Sequence, residues 1–555
     1  MYEFTKVINT YRNKSYLYDA YKNSVVKLPE YIENTDYKFT KEYIETKKEC
    51  YLDLLSKGYF KGKKLDKIDN PMINESKKII ANHLKGLTLQ ITTNCNFACK
   101  YCFISEKYNH KKEPKKMEWS VAEKAIIYFM EHSKEEDSID IRFYGGEPML
   151  NFFLIKQCVD YIEKNYSDRK YQYYMTTNLS ILDDEKLDFF VAHNFMLLIS
   201  LDGPMLIHNK NRVYKDGADT YDVIEGNLKY IKNKYPKYFR TITFNSVLSR
   251  QDDYFAIKDF FLYKNLFRDK DNEINDFIIS QLYFADDFEN KESKNVLRGY
   301  IDYIKNQKSY MKELLISFLV SFNIVKAENK FENQYLNSEL VYWLRKFQKD
   351  SSKDNMELEK MGHPYGTCFA GSDKLMVDPD GVFWPCEKVN TNNKSISIGN
   401  VDVGIDLGQV NKMLNISKHY TKCCTCWCFR YCGQCISSIT NSTRDKACNN
   451  SRSYIEEKLI HYCNLIEINN ECQMIIGSEK RKKDLRQIYE SKEMIEAICQ
   501  YVDISIIEDT NAPIYAAYEL YKLIVILTYQ YNIIIKVADI IEYNNIKDFI
   551  TKIVT

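Results

Sequence analysis

Seventeen cysteines constrain this chain more than any other feature. Cys95, Cys99 and Cys102 crowd into one short segment. Cys368, Cys386, Cys423, Cys424, Cys426, Cys428, Cys432, Cys435 and Cys448 form a second group, and Cys50, Cys158, Cys463, Cys472 and Cys499 are scattered. The opening residues MYEFTKVINTYRNKS hold no apolar segment of the kind that directs secretion, so a cytoplasmic setting is expected. Thiols stay reduced there, and clustered thiolates then mean bound metal rather than a disulfide framework. The scattered cysteines read as buried, inert side chains.

Charge narrows the partners. Lys and Arg number 78 against 77 Asp and Glu, a formal charge of +1, which argues against a nucleic-acid partner. The apolar run Leu523–Tyr529 falls far short of the ~18 residues that span a bilayer, so no membrane partner is expected. A hydrophobic share of 45% excludes whole-chain disorder.

Texture divides the chain into five parts. Residues 1–85 carry strand-like runs at Glu3–Ile8 and Tyr16–Val26, then a helical stretch over Lys41–Leu55, which suggests a small winged-helix-like module. Over 86–284, strands are expected at Leu87–Thr93, Ile139–Tyr144, Tyr171–Thr177, Met196–Leu201, Thr241–Leu248 and Phe277–Tyr283. Helical patterns at Ser120–His132, Phe152–Lys164 and Asp183–Ala192 lie between them. Alternation of this kind implies an α/β fold with a parallel sheet, and six units make an open, partial barrel. Residues 285–367 read as a helical connector, 368–470 as a Cys-rich domain ending in a helix, and 471–555 as a small helical domain.

Cys95, Cys99 and Cys102 stand in Cys-x3-Cys-x2-Cys spacing just past the first barrel strand. Structural zinc normally takes four protein ligands. Three cysteines on one loop suit a [4Fe–4S] cluster with one iron left open; zinc with a remote fourth ligand is the alternative. The loop TTNCNFACKYCF, with Tyr101 before the third cysteine, resembles that of the radical S-adenosylmethionine (SAM) enzymes. YGGEP (Tyr144–Pro148), TTN (Thr176–Asn178) and ISLDGP (Ile199–Pro204) stand at the ends of successive strands, where that family binds SAM. The resemblance implies that Tyr101, Gly145, Gly146, Glu147, Asn178, Ser200, Arg212 and Leu248 bind the cofactor. Gly145 and Gly146 would let backbone approach a ligand, Glu147 would accept from its ammonium group, Ser200 would hold the ribose and Arg212 the carboxylate.

The second group reads Cys368-x12-Gly381-x4-Cys386, then Cys423-x2-Cys426-x5-Cys432-x2-Cys435, closed by Cys448. It resembles the SPASM extension of radical SAM proteins, which carries auxiliary clusters. That likeness implies one [4Fe–4S] cluster on Cys423, Cys426, Cys432 and Cys448, and another on Cys368, Cys386 and Cys435. A fourth ligand to the latter is either absent, leaving an open iron, or supplied by Cys424, Cys428 or His363. Glu387 stands where related anaerobic sulfatase maturases keep a catalytic carboxylate; a surface glutamate is the plain alternative.

Enzymes with both parts modify ribosomally made peptides or proteins. The resemblance therefore implies a maturase whose partners are a Cys-rich precursor peptide with a leader and a flavodoxin- or ferredoxin-type electron donor. Residues 1–85 would recognise the leader by strand addition, and thioether cross-links are the expected product. The alternatives are sulfatase-maturase-like oxidation of a Cys or Ser, and a non-enzymatic iron–sulfur electron carrier. The C-terminal segment resembles a carrier-protein domain in its ending DIIEYNNIKDFITKI, without the serine that would carry a phosphopantetheine arm.

Overall fold

Six runs rich in Leu, Ile, Phe and Tyr between residues 86 and 281 become six strands that pair in chain order. The computed structural model describes residues 4–36, 39–47, 49–62, 64–102, 114–268, 273–281, 308–336, 338–351, 357–358, 361–364, 368–415, 420–433, 444–478, 502–503, 505, 507, 513–531, 533–542, 545 and 549. Fifteen strands occur among them. They are β1 (Thr5–Asn9), β2 (Ser15–Asp19), β3 (Ser24–Lys27), β4 (Lys67–Ile68), β5 (Gly86–Thr92), β6 (Ile139–Gly145), β7 (Tyr171–Thr177) and β8 (Met196–Ser200). β9 (Thr243–Leu248), β10 (Asp276–Gln281), β11 (Met361–Gly362), β12 (Leu375–Val377), β13 (Val382–Trp384), β14 (Gly399–Asn400) and β15 (Gly404–Ile405) follow.

Strands β5 to β10 are parallel and adjacent in sequence order. Helices at Trp119–Glu131, Phe152–Asn165, Asp184–Ala192, Tyr221–Lys234 and Tyr254–Tyr263 lie between them in the chain. The fold is therefore the mixed α/β arrangement that the alternating pattern implies. Every residue of β5, GLTLQIT, is buried, as expected of a strand covered on both faces.

β5 is also paired along both edges, with β6 on one side and β12 on the other. Leu375 and Val377 of β12 pair in parallel with Leu87 and Leu89 of β5, and β13, β14 and β15 continue the sheet antiparallel. The first residues of the Cys-rich segment thus extend the barrel sheet to ten strands.

The run Tyr16–Val26, expected as one strand, is two. Buried Asp19 accepts from the Tyr21 and Lys22 amides at 2.9 and 3.2 Å and turns the chain. Asn23 then sits at φ +57°, a conformation Asn tolerates. β1, β2 and β3 form an antiparallel sheet followed by helices Lys41–Lys47 and Glu49–Ser56. Val7 and Leu17 face a small core with Phe39, Tyr51 and Phe60, while Ile8, Tyr16 and Tyr18 face the main core. That alternation buries the sheet on both sides.

Helix Pro513–Tyr531 packs against helices Lys308–Ser321 and Arg444–Ser478; the Tyr518 ring stacks on Phe318 at 5.4 Å. Among the described residues, no helix is long and apolar enough to cross a membrane.

Candidate active site

The first cysteine loop leaves the end of β5 and is sewn to the segment after β8 by main-chain hydrogen bonds. The Ala98 amide donates to Val213 O at 2.8 Å and the Lys100 amide to Asn211 O at 3.0 Å. These bonds straddle Cys99, so Arg212 lies beside it. The Cys102 amide closes a turn onto Cys99 O at 3.1 Å.

The ends of β6 and β7 brace the same loop. The Gly146 amide donates to Thr92 O at 2.8 Å and the Glu147 amide to Asn94 O at 2.9 Å. Gly145 has φ +142°, and a Cβ there would stand 2.1 Å from Thr92 O; one on Gly146 would stand 2.1 Å from Asn94 O. The glycines thus admit another stretch of backbone.

Glu147 ties the ends of β6 and β7 together. It is 1% exposed. Its Oε1 accepts from Thr177 Oγ1 at 2.8 Å and from the Met149 amide at 3.1 Å, and its Oε2 accepts from the Asn178 amide at 2.7 Å. Burial pushes its carboxyl up to about 7 against the pull of those donors. Asn178 donates to Asn96 Oδ1 at 3.0 Å, and its Nδ2 lies 3.9 Å from Cys95 Sγ.

Buried Asp202, two residues past β8, accepts from the Tyr101 hydroxyl. Arg212 Nε lies 3.1 Å from Asp202 Oδ1, and the Arg212 guanidinium sits 5.3 Å from the Tyr101 ring centroid. Ser200 ends β8 half-buried, opposite Asn245 of β9. Leu248 ends β9, buried, opposite Gln281 of β10. The structure therefore gathers Cys95, Cys99, Cys102, Tyr101, Asn178 and Arg212 into one contact network and sets Ser200 and Leu248 at neighbouring strand ends. Burial pushes the Cys95 and Cys99 thiols up to about 12 and about 11; Arg212 pulls Cys99 back down.

In the second group, Cys423, Cys426, Cys432 and Cys448 line one cavity, together with Cys428, Tyr420 and Arg452. Arg452 Nη2 lies 3.7 Å from Cys426 Sγ, and burial pushes the Cys423 thiol up to about 12. Cys424 is buried next door, its carbonyl accepting from the Leu65 amide at 3.0 Å.

Cys368 is exposed and Cys386 half-buried. Neither lines that cavity, and Cys435 lies outside the described residues. His363 turns its Nδ1 to Pro364 O at 2.8 Å. Glu387 accepts from Lys374 Nζ at 2.8 Å through Oε1, and its Oε2 is buried with no hydrogen-bond partner among the described residues. The Tyr144 hydroxyl is pushed up by burial and by the nearby Glu387, Cys102 and Cys386, so one tyrosine stands between the two cysteine groups.

Residues 89–254 match the family model described as the radical SAM superfamily. The chain carries a radical SAM domain. It is 25% identical over 410 residues to the radical SAM cyclopropyl synthase TigE of Paramaledivibacter caminithermalis, covering 69% of this chain and 72% of that one. A cysteine-type anaerobic sulfatase-maturating enzyme of Clostridium novyi is 29% identical over 190 residues, 32% of this chain and 50% of the enzyme. An uncharacterised protein of Methanocaldococcus jannaschii is 35% identical over 153 residues, 27% of this chain and 50% of that protein. The match thus spans about half the length of the latter two.

The donor sets fit the cofactors of a radical SAM domain, [4Fe–4S] clusters and SAM. Three thiols share a single loop at the strand ends, the number that leaves a cluster iron open. At the second site the thiols stand around a cavity; among the described residues no three His, Cys, Asp or Glu side chains are grouped to hold a single metal ion.

Sequence reasoning missed two things. Asp202, His208 and Thr220 form a buried string behind Arg212, whose only signal was the polar residues following ISLD. The N-terminal sheet also braces the second site. The Phe4 amide donates to Thr425 O at 3.3 Å. Arg430 donates to Ala20 O at 2.6 Å and to Tyr21 O at 3.1 Å, and the Tyr431 hydroxyl lies 3.1 Å from Asn23 Oδ1. Trp427 and Tyr431 meet the Tyr18 ring at 6.4 and 5.8 Å.

Proposed function

We propose that this radical SAM enzyme modifies a ribosomally made, Cys-rich peptide by hydrogen abstraction, forming intramolecular thioether links. The observation that carries the reading is the joining of Cys99 to Arg212 by flanking main-chain bonds at the strand ends. Cys95, Cys99 and Cys102 would hold the SAM-binding cluster; Cys423, Cys426, Cys432 and Cys448 an auxiliary one; and Cys368, Cys386 and Cys435 a further one. When bound, the cluster and SAM would supply radical hydrogen abstraction from the substrate.

The chain's own residues do the rest. Ser200, Asn178, Leu248 and Arg212 orient SAM, and the Gly145–Glu147 turn fixes the cysteine loop under it. Glu387, with one oxygen already on Lys374, offers its other oxygen to a substrate proton beside Tyr144. Each thioether costs the peptide two hydrogens and two electrons: a hydrogen atom abstracted from carbon, a thiol proton that Glu387 takes, and one remaining electron that would pass to the auxiliary cluster held by Cys368, Cys386 and Cys435.

Residues 1–85 would recognise the leader; β3 is an edge strand of its sheet, suited to pairing with an added strand. A small electron-transfer protein of the flavodoxin or ferredoxin type would reduce the clusters. The five-part division of the chain belongs to the same proposal.

A second product has its own support: the long match to TigE favours closure of a carbon–carbon ring. Mass spectrometry of a co-expressed Cys-rich precursor, before and after thiol alkylation, separates the two. Thioether formation removes two hydrogens and one alkylatable thiol per link. Loss of hydrogens with every thiol still alkylatable refutes thioethers and leaves the ring, or, if a carbonyl reagent labels the product, oxidation to an aldehyde.

A further inference from the structure

Asp202 is 0% exposed, and its side chain is spent on the first cysteine site. Oδ2 takes the Tyr101 hydroxyl. Oδ1 accepts from the Val247 amide at 2.9 Å and faces Arg212 Nε at 3.1 Å. Its own amide donates to His208 Nδ1 at 3.2 Å, which leaves the ring proton on Nε2, 3.0 Å from Thr220 Oγ1. The Thr220 hydroxyl then donates to the Arg212 carbonyl at 2.8 Å. Arg212 is therefore held at both ends, its guanidinium by an ion pair with Asp202 and its carbonyl by a hydrogen bond from Thr220. The neighbours Asn211 and Val213 accept the main-chain bonds on either side of Cys99.

A buried carboxylate is costly unless it is paired and hydrogen-bonded. Asp202 meets that condition only through groups that touch the three-cysteine loop or the strand end beside it. Its negative charge also offsets the guanidinium that lies next to Cys99.

We infer that Asp202 is a positioning residue: it locks Arg212 and Tyr101 against the three-cysteine loop and sets the charge felt there. The inference rests on the radical SAM reading and on Cys95, Cys99 and Cys102 holding the cluster that SAM binds.

The electrostatics give opposite signs for two substitutions. Electron uptake by a cluster is opposed by a nearby negative charge and favoured by a positive one. Asp202→Asn removes a negative charge and leaves Arg212 uncompensated, so the cluster's midpoint potential moves positive. Loss of the fixed guanidinium also weakens SAM binding about tenfold or more, the scale of one charged hydrogen bond. Tyr101→Phe removes only the hydroxyl that shields Asp202, so the potential moves negative. A role confined to folding produces no such reversal.

The test is a redox titration, followed by electron paramagnetic resonance, of the full chain reconstituted without oxygen. The signal followed is the one that changes on adding SAM, with SAM affinity measured alongside. A positive shift for Asp202→Asn and a negative one for Tyr101→Phe support the inference. If Asp202→Asn does not retain iron, Tyr101→Phe decides: a negative shift supports the role, and an unmoved potential overturns it. Unmoved potential and SAM affinity in both variants, beside a SAM-sensitive wild-type signal, overturn the inference alone. A wild-type protein with no SAM-sensitive signal overturns the functional reading and this inference with it.

Discussion

The two cysteine sites are held in opposite ways. The first is local: its loop follows β5 directly, and its bracing comes from the ends of β6, β7 and β8, met in chain order. The second is remote: the loop around Cys424–Cys432 leans on a sheet some four hundred residues earlier, since Arg430 and Ala20 are 410 positions apart. A site built on strand ends inherits rigidity from the sheet. A site built on a loop must borrow it, and here the N-terminal module lends it.

If the sites are independent in this way, each can be damaged alone. The largest effect is expected from replacing Cys95, Cys99 and Cys102 together with Ala. SAM cleavage falls to background while iron at the second site remains, as iron and sulfide analysis shows; loss of both would mean that the sites are not separate.

The reverse experiment strikes the brace. Arg430→Ala with Tyr431→Phe strips the hydrogen bonds to Ala20, Tyr21 and Asn23, at roughly 1–3 kcal/mol for each buried group left unpaired. Second-site iron is expected to fall and SAM cleavage to persist. Equal iron retention in the double variant would show that the N-terminal sheet is a bystander.

Gly145→Ala sharpens the comparison from the other side. A Cβ 2.1 Å from Thr92 O at φ +142° forces strain and a shift of the cysteine loop, a loss of about 2–4 kcal/mol. Denaturant unfolding should show that loss, with SAM cleavage reduced and second-site iron intact. Wild-type stability would mean that the strand ends give way more easily than the sheet implies.

A further effect, on stability alone, concerns pH. Burial, with Arg212 adding to it, lowers His208 from 6.5 to about 3. Unfolding therefore takes up a proton between those values, so stability rises with pH from about 3 to 6.5 and is level above. His208→Gln should flatten that slope in urea midpoints measured across the range. An unchanged slope would mean that other groups set it.

The same local–remote contrast explains what the sequence discloses. The six parallel strands are readable because each is a short apolar run between helical patterns; their ends coincide with the expected ones or fall within two residues of them, Leu282 and Tyr283 lying outside the described residues. The three-cysteine loop is readable because its ligands are neighbours in the chain. Glu147 shows what chain order hides: the Thr177 hydroxyl and the Asn178 amide that it accepts from lie at the end of another strand. The break at Asp19–Asn23 hides within an apolar run, because the turn depends on one buried carboxylate. The brace on the second site is invisible: nothing in the sequence joins Tyr18 to Trp427 and Tyr431 until the fold brings them together. Cys428 shows the limit of spacing arguments, for it lines the same cavity as the four cysteines the pattern selects.

The central claim is that the first cysteine loop supports SAM-dependent radical chemistry. Its most direct test is 5′-deoxyadenosine production by the reduced, anaerobically reconstituted full chain supplied with SAM. The account predicts that product in the wild-type protein and none when Cys95, Cys99 and Cys102 are Ala. A wild-type protein with its full complement of iron that forms no 5′-deoxyadenosine would contradict it.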